Sequence, residues 1–262
     1  MRSERQLILE VSKIMTGLQD NLCRFLAWDS NFFGFKIAQL SIDLLKPEYV
    51  AQIDDWCHRN GISCLYFLAD FNSPESIEIA EQNNFHLVDV RIEMELKINK
   101  SHSLEYQYEN LVLRDFKRDD MSFLQDIAKN SFTSSRFYFD KRFPRNLCDS
   151  FYATWIKVSC EGYAQKVLVA ELGKKVVGFI TCHLEEDNGI GRIGLLGLSS
   201  EMRGKSIGQI IIHQASDWFL SKKAKLVRIV TQGRNVAAQR LYQKCGFITK
   251  SVYLWYHKWY KE

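Results

Sequence analysis

Along the chain, short apolar runs alternate with segments in which apolar positions recur every three or four residues. The two-residue period is clearest in HLVDVRIEMELKI (86–98). There Val88, Val90, Ile92, Met94 and Leu96 alternate with Asp89, Arg91, Glu93 and Glu95, which predicts a strand with one packed and one wet face. CLYFLA (64–69) predicts a buried strand and SPESIEIAEQNN (73–84) a capped helix. PEYVAQIDDWCHRNG (47–61) predicts a helix opened by proline and closed by glycine. RFLAWDSNFFGFKIAQLSI (24–42) predicts two strands around a turn at 29–34, after an amphipathic N-terminal segment.

The polar, turn-like stretch NKSHSLEYQYEN (99–110) separates this series from a second one, setting domains at 1–107 and 108–262. The second series begins with a strand (LVLRDF), a helix over about 119–132 and a helix near 147–160. A hairpin follows, KVLVAEL and VVGFITCHL around GKK; then Asp187-Asn188-Gly189 turns into IGRIGLLGLS. A long helix to Lys222, the strand LVRIV, a short helix after Asn235 and the run FITKSVYLWYHKWY complete it. Alternating strands and helices in both halves predict an α/β fold with mixed sheets. Setting Phe85 on Phe247, an offset of 162, lays the helix and alternating strand of the first half over those at the C-terminus without a gap. Two copies of one design, or merely shared strand-helix-strand architecture, would produce this; Tyr242 falls on Ala80.

Composition narrows the class. A 262-residue chain that is 46% hydrophobic and 25% charged buries a substantial core, and no apolar run approaches the ~20 residues of a membrane span. MRSERQLILE lacks a signal-peptide apolar region, and seven cysteines without a CxxC pair argue for a reducing, cytoplasmic setting with buried thiols and no metal site. A net charge of +4 is too mild for nucleic-acid binding, though it leaves room for a basic cleft that takes a phosphorylated small molecule.

Two segments carry candidate chemistry. In QGRNVAAQRLYQKCGF, Asn235 is an N-cap, Gly246 ends the helix, and Tyr242 lies two turns from Asn235 on the same face. Before the long helix, Arg203, Gly204, Lys205, Ser206, Ile207 and Gly208 form a small-residue loop at a helix N-terminus, where unpaired N–H groups favour an anion. Taken alone the pattern is equally a glycine-rich turn, and it is neither a Walker loop nor a dinucleotide fingerprint.

The order of these motifs resembles the GNAT acetyltransferase superfamily. That resemblance implies acetyl-CoA as co-substrate, with its pyrophosphate on the 203–208 loop, where Ser206 replaces the usual central glycine. It also implies Leu196, Gly197 and Leu198 along the thioester arm, with the Gly197 and Leu198 N–H groups near the carbonyl, Asn235 on the CoA arm, and Tyr242 as the acid that protonates the leaving thiolate. LAWDSNFFGFKIA, SRFYFDKRFPRNLCDSFYATWIK, RIGLL and TQGRNVAAQRLYQKCGF are similar to the bacterial dTDP-fucosamine acetyltransferases. This implies two GNAT-like halves, the first degenerate, and a dTDP-linked 4-amino-4,6-dideoxy sugar as acceptor. Asp89 lies where those enzymes carry an acid thought to act as base through water; the alternative is a solvated strand face. Ser135, Arg136, Phe137 and Tyr138 have the chemistry to grip a nucleotide, guanidinium to phosphate and ring to base, or form a basic loop that only solvates. Transfer to another amine, such as a peptide or aminoglycoside, and a non-catalytic acyl-CoA-binding module stay open. The aromatic C-terminal strand is a candidate for homodimer pairing.

Overall fold

The computed structural model describes residues 22–99, 108–185 and 188–260. The amphipathic N-terminal segment, most of the polar stretch at 99–110, and Asp187 of the expected turn lie outside the described residues. The chain forms two compact units, Met1–Val90 with Tyr253–Glu262, and Arg91–Val252. This division differs from a boundary at 107/108, because two long strands each contribute to both units.

The first unit contains β1 (Cys23–Phe25), α1 (Ala27–Phe33), β2 (Ile37–Leu40), α2 (Pro47–Asn60), β3 (Cys64–Asp70) and α3 (Pro74–Gln82), with the start of β4 (His86–Lys97) and the end of β10 (Ile248–Trp259). Its strand order is β1-β2-β3-β10, with β2 and β3 parallel and the other pairs antiparallel. The expected turn at 29–34 is instead α1. Trp28 and Phe32, four residues apart, stack at 5.4 Å on the helix, and left-handed Gly34 closes it with its N–H on Ser30 O.

The second unit holds the remainder of β4 and β5 (Leu111–Asp115), α4 (Met121–Lys129), α5 (Arg136–Phe139), α6 (Arg145–Val158), β6 (Lys166–Leu172) and β7 (Lys175–Glu185). It continues with β8 (Ile190–Leu198), α7 (Ile207–Ser221), β9 (Leu226–Gln232) and α8 (Val236–Lys244). The order is β4-β9-β8-β7-β6-β5, in which only β8 and β9 are parallel. Met94, Ile193, Ile211, Phe219, Val227 and Phe247 sit in its main apolar cluster.

The alternation in β4 does not leave one face wet. Asp89 is 4% exposed. Glu93 is held by Arg91 at 2.7 Å and also meets Lys250, while Glu95 sits opposite Arg228 in the β4·β9 ladder. Ion pairs within the sheet therefore satisfy the polar positions that the period alone assigned to solvent.

The offset of 162 relates more than a sequence pattern. β3, α3 and β4 span 64–70, 74–82 and 86–97, and β9, α8 and β10 begin and end at the same positions moved by that offset. Both helices are N-capped by a side chain accepting from the residue three on, Ser73 from Ser76 N–H and Asn235 from Ala238 N–H. Both end with one residue at positive φ, Asn84 at 62° and Gly246 at 88°. The next N–H, from Phe85 or Phe247, then reaches back to Ala80 O or Tyr242 O. The closing strands are exchanged: β10 pairs with β3 from Tyr253↔Asp70 to Trp259↔Cys64, and β4 pairs with β9 from Arg91↔Gln232 to Lys97↔Leu226, the same register under the offset.

The copies differ at one decisive place. In the first unit the loop after β2 is pinned onto its neighbours: Asp70 N–H donates to Asp43 O at 3.1 Å and Leu45 N–H to Ser76 Oγ at 2.6 Å, with Leu45 only 2% exposed. Ala80, fully buried, occupies the position of Tyr242. These contacts cover the end of β3 in the first copy.

The paired helix ends give a test. Gly246→Ala places a Cβ on a left-handed residue, 3.3 Å from Leu96 Cδ1, and is expected to cost about 1–2 kcal/mol in urea unfolding. Asn84→Gly at the matching position is expected to be neutral or to stabilise by up to about 1 kcal/mol, because asparagine tolerates this conformation less well than glycine. Loss of stability in both variants would break the equivalence of the two ends.

Candidate functional site

The second unit opens where its parallel pair separates. β8 and β9 are in register only at Ile190↔Leu226, Gly191↔Val227 and Arg192↔Arg228, yet β8 continues to Leu198 and β9 to Gln232. Past Arg192 the edge of β8 facing β9 has no partner strand, and a gap lined by main-chain groups results.

On its other edge β8 carries a bulge. Its register with β7 passes from Ile193↔Cys182 to Leu196↔Ile180, so Gly194 and Leu195 together face Thr181. Leu195 N–H donates to Thr181 Oγ1 at 2.8 Å and Ser199 N–H to Val177 O at 2.9 Å, both toward β7. Because main-chain groups alternate along a strand, the N–H groups of Leu196 and Leu198 point into the gap, and that of Gly197 points to β7. Gly197 instead packs tightly: a Cβ there would lie 2.7 Å from the Phe179 ring. Leu196 and Leu198, with the family-implied Gly197 between them, are therefore the pair able to meet an oxygen in the gap.

The loop leaving β8 leads directly to the head of α7. The first bonds of the helix run from Gln209 and Ile210 N–H to Ser206 O, so the N–H groups of Ile207 and Gly208 have no intrahelical acceptor and add to the positive end of the helix dipole. Gly204 (φ 77°) and Ser206 (φ 60°) are both left-handed, and Gly204, Lys205 and Ser206 are exposed. Serine thus holds a conformation normally left to glycine. The Arg203 guanidinium does not face outward to a ligand; it donates to Leu198 O (3.3 Å), Asn130 O (3.0 Å) and Ser131 Oγ (3.3 Å), tying the loop to β8 and α4. Gly208 serves packing as well, since a Cβ there would sit 2.9 Å from Leu241 Cδ2 on α8.

That contact brings α8, and with it Tyr242 and Asn235, beside the head of α7. Tyr242 is 7% exposed, packs its ring 6.0 Å from Phe247, and shares the apolar cluster with Ile207 and Ile211. Burial raises its pKa, and the neighbouring Cys245 adds to the rise. The Cys245 thiol is itself pushed by burial up to about 12 and so is not a thiolate. Asn235 Oδ1 caps α8, and Gln239 Nε2 clips the turn by donating to Gln232 O at 3.0 Å and Gly233 O at 2.8 Å.

The candidate acceptor segment divides in two. Phe137 is a core residue, 3% exposed between Phe143 and Phe151, with the Arg136 guanidinium 4.3 Å from its ring centroid. Tyr138 is committed as well: its hydroxyl donates to Asp149 at 2.8 Å, its ring lies under Arg145 at 4.3 Å, and burial together with Asp149 raises its pKa. Ser135 differs, with a buried Oγ that has no partner. The exposed ring of this segment is Phe139, which the sequence reading passed over; Arg234, next to Asn235, stacks on it at 4.1 Å. Asp89 belongs to the first unit, where its carboxylate accepts from Val90 N–H at 2.9 Å. Also missed were Thr181 and the adjacent His183, which nothing in their local sequence distinguishes from ordinary strand residues. Among the described residues no group of His, Cys, Asp and Glu is arranged to hold a metal ion, and no helix is long and apolar enough to cross a membrane.

Residues 123–247 match the acetyltransferase (GNAT) family. The sequence is 26% identical to the dTDP-fucosamine acetyltransferase of Escherichia coli O6:H1 over 243 residues, 89% of this chain and 96% of that protein. It is 27% identical to the spore coat polysaccharide biosynthesis protein SpsD of Bacillus subtilis over 140 residues, which are 53% of this chain and only 48% of that relative's length. A GCN5-related N-acetyltransferase from Sphaerobacter thermophilus shares the fold over 92% of this chain and 76% of its own, with a TM-score of 0.67 at 14% identity.

The left-handed serine is directly testable. Ser206→Gly is expected to raise stability by about 1 kcal/mol in urea unfolding, and Ser206→Val to lower it by at least as much, because a β-branched residue fits this conformation poorly. If glycine and valine behave alike, the left-handed geometry at the head of α7 is not present in solution.

Proposed function

We propose that this chain is an N-acetyltransferase that takes its acyl group from acetyl-CoA and acts on the amine of a nucleotide-linked amino sugar, in keeping with the match of residues 123–247 to the acetyltransferase (GNAT) family. The acceptor in this reading is a dTDP-linked 4-amino-4,6-dideoxy sugar destined for surface polysaccharide. The observation that carries the sugar assignment is the similarity to a dTDP-fucosamine acetyltransferase along 89% of the chain. The partial similarity to a spore coat polysaccharide protein points the same way.

Each part of the site has a task in such a transfer. The pyrophosphate rests on the main chain of Gly204, Lys205, Ser206, Ile207 and Gly208, with Lys205 adding charge and Arg203 holding the loop in place. The pantetheine arm follows the gap between β8 and β9, with Asn235 at its side. Leu196 and Leu198 N–H meet the thioester oxygen, where negative charge grows as the amine attacks. The C–N bond forms, the C–S bond breaks, and the departing sulfur takes the Tyr242 proton. A buried phenol with a raised pKa stays protonated through the neutral range, the state an acid requires. Part of a sugar amine is unprotonated at neutral pH, so a strong base is not needed, and the proton lost from nitrogen as the amide forms passes to solvent; Asp89, expected as the base, belongs to the first unit and is not given that task here. Ser135 Oγ, and Phe139 with Arg234, offer the nucleotide a hydrogen bond and a stacking face.

Incubation with acetyl-CoA and a panel of dTDP- and UDP-linked amino sugars, peptides and aminoglycosides, with thiol release as readout, is expected to give turnover with the dTDP sugars. Turnover only with peptides or aminoglycosides would reject the sugar assignment, and binding of acetyl-CoA without turnover of any amine would indicate a non-catalytic module. Tyr242→Phe is expected to lower kcat about 10- to 1,000-fold while leaving the acetyl-CoA Kd within about threefold. With the phenol pKa raised, tyrosine ionisation is not expected to reduce kcat below about pH 10, the ordinary phenol value. An alkaline fall centred well below that pH, abolished by Tyr242→Phe, would contradict the burial of the phenol.

A further inference from the structure

The gap is useful to a thioester only if the right main-chain groups face it, and one side chain decides that. Thr181 is fully buried on β7, and its hydroxyl, in place of a ladder carbonyl, accepts Leu195 N–H at 2.8 Å in the bulge. Without the bulge β8 would extend the register that ends at Ile193↔Cys182, placing Leu195 opposite Ile180 and Leu196 opposite Phe179. A slip of one residue reverses every side chain and every main-chain group beyond it. Leu196 and Leu198 N–H would turn to β7, Gly197 N–H would enter the gap, and the leucine side chains would leave the face they share with α7.

We propose that Thr181 is a positioning residue for acetyl transfer, its hydroxyl holding the bulge that aims Leu196 and Leu198 N–H at the thioester oxygen. This deepens the reading above in one respect: it rests on acetyl-CoA occupying the gap and is independent of which amine accepts the acetyl group. Two further features fit the role. Gly194 gives Thr181 its room, since a Cβ at that position would lie 2.7 Å from Thr181 Oγ1 and 2.6 Å from His183 Nε2. His183 is 5% exposed, and burial first, with Arg192 adding to it, lowers its pKa to about 4. It is therefore uncharged beside the bulge and does not draw the threonine hydroxyl away by charge. Removing the hydroxyl would leave Leu195 N–H without an acceptor on a buried edge, which favours return to the regular ladder.

The test uses the full chain and acetyl-CoA labelled with 13C at the carbonyl, whose bound-state NMR shift and infrared stretch report how strongly the oxygen is hydrogen-bonded. No acceptor is needed for that measurement. In Thr181→Val, of similar shape but without the acceptor, the carbonyl signal is expected to move toward that of free acetyl-CoA. In the same variant kcat is expected to fall roughly 10- to 100-fold, a range below the loss of a whole oxyanion donor, while acetyl-CoA KM stays within about threefold. Thr181→Ser, which keeps the hydroxyl, is expected to restore both readouts to near wild type. A valine variant with the wild-type carbonyl signal, or serine and valine variants equally impaired, would overturn the assignment. Should the valine variant fail to fold, hydrogen exchange on the wild type decides: protection of the Leu195 amide comparable to its β8 neighbours supports the bond to Thr181, and exchange at the rate of an open loop refutes it. Failure of every amino sugar in the turnover panel would leave these outcomes untouched, whereas failure of the wild type to bind acetyl-CoA would remove the function reading itself.

Discussion

The separation of β8 from β9 after three paired residues is the constraint on which the site depends. Parallel strands hydrogen-bonded along their whole length would leave no room for a ligand arm and no unpaired main-chain donors. Once the ladder stops at Arg192↔Arg228, the same strand provides a wall, a set of donors and, through its following loop, the head of a fifteen-residue helix. The cost of leaving main-chain groups unpaired is limited by the surroundings. Leu198 O is taken by Arg203 and Ser131, and Leu195 N–H by Thr181, so the groups left open are those in a position to be used.

The two copies of strand, helix and strand carry one design, covered by a loop in the first and bearing the candidate site in the second. Their element boundaries, caps and ladder registers coincide under a single offset, so the local rules of helix start and stop act identically in each. What differs is the filling. Leu45, its N–H on Ser76 Oγ, and the bond from Asp70 N–H to Asp43 O cover the first copy, and an alanine stands where the second has its tyrosine. Exchange of the closing strands makes each copy depend on the other, since β10 completes the ladder on β3 and β4 the ladder on β9.

Charge has a smaller part in the site than the basic loop suggested. Arg203 is used internally, Arg145 stacks on Tyr138, and Arg136 on Phe137. In the proposed reading a phosphate is met chiefly by main-chain N–H groups at the head of α7, whose direction is set by two left-handed positions, Gly204 and Ser206, on either side of Lys205. Chemistry at the other end of the gap relies on burial. Burial raises the pKa of both the Tyr242 phenol and the Cys245 thiol, and in the proposed transfer the phenol is the group that gives up its proton.

Sequence alone determined the α/β alternation, the caps of α8 at Asn235 and Gly246, the loop before α7 and the repeat offset, because each follows from local rules of period, capping and turn chemistry. Spacing put Tyr242 and Asn235 on one face of a helix, while a role for the tyrosine came only with the family resemblance. Tertiary structure decided the rest. The polar side of β4 was paired inside the sheet where an alternating period implied solvent, and an aromatic pair four residues apart turned the expected bend at 29–34 into α1. Phe137 went to the core and Phe139 to the surface, a choice that a four-residue helix makes by packing and that composition does not reveal. The register of β8 depended on a single threonine on the neighbouring strand, and cross-strand contacts of that kind have no signature in a linear pattern, since their partners are brought together only by the completed sheet.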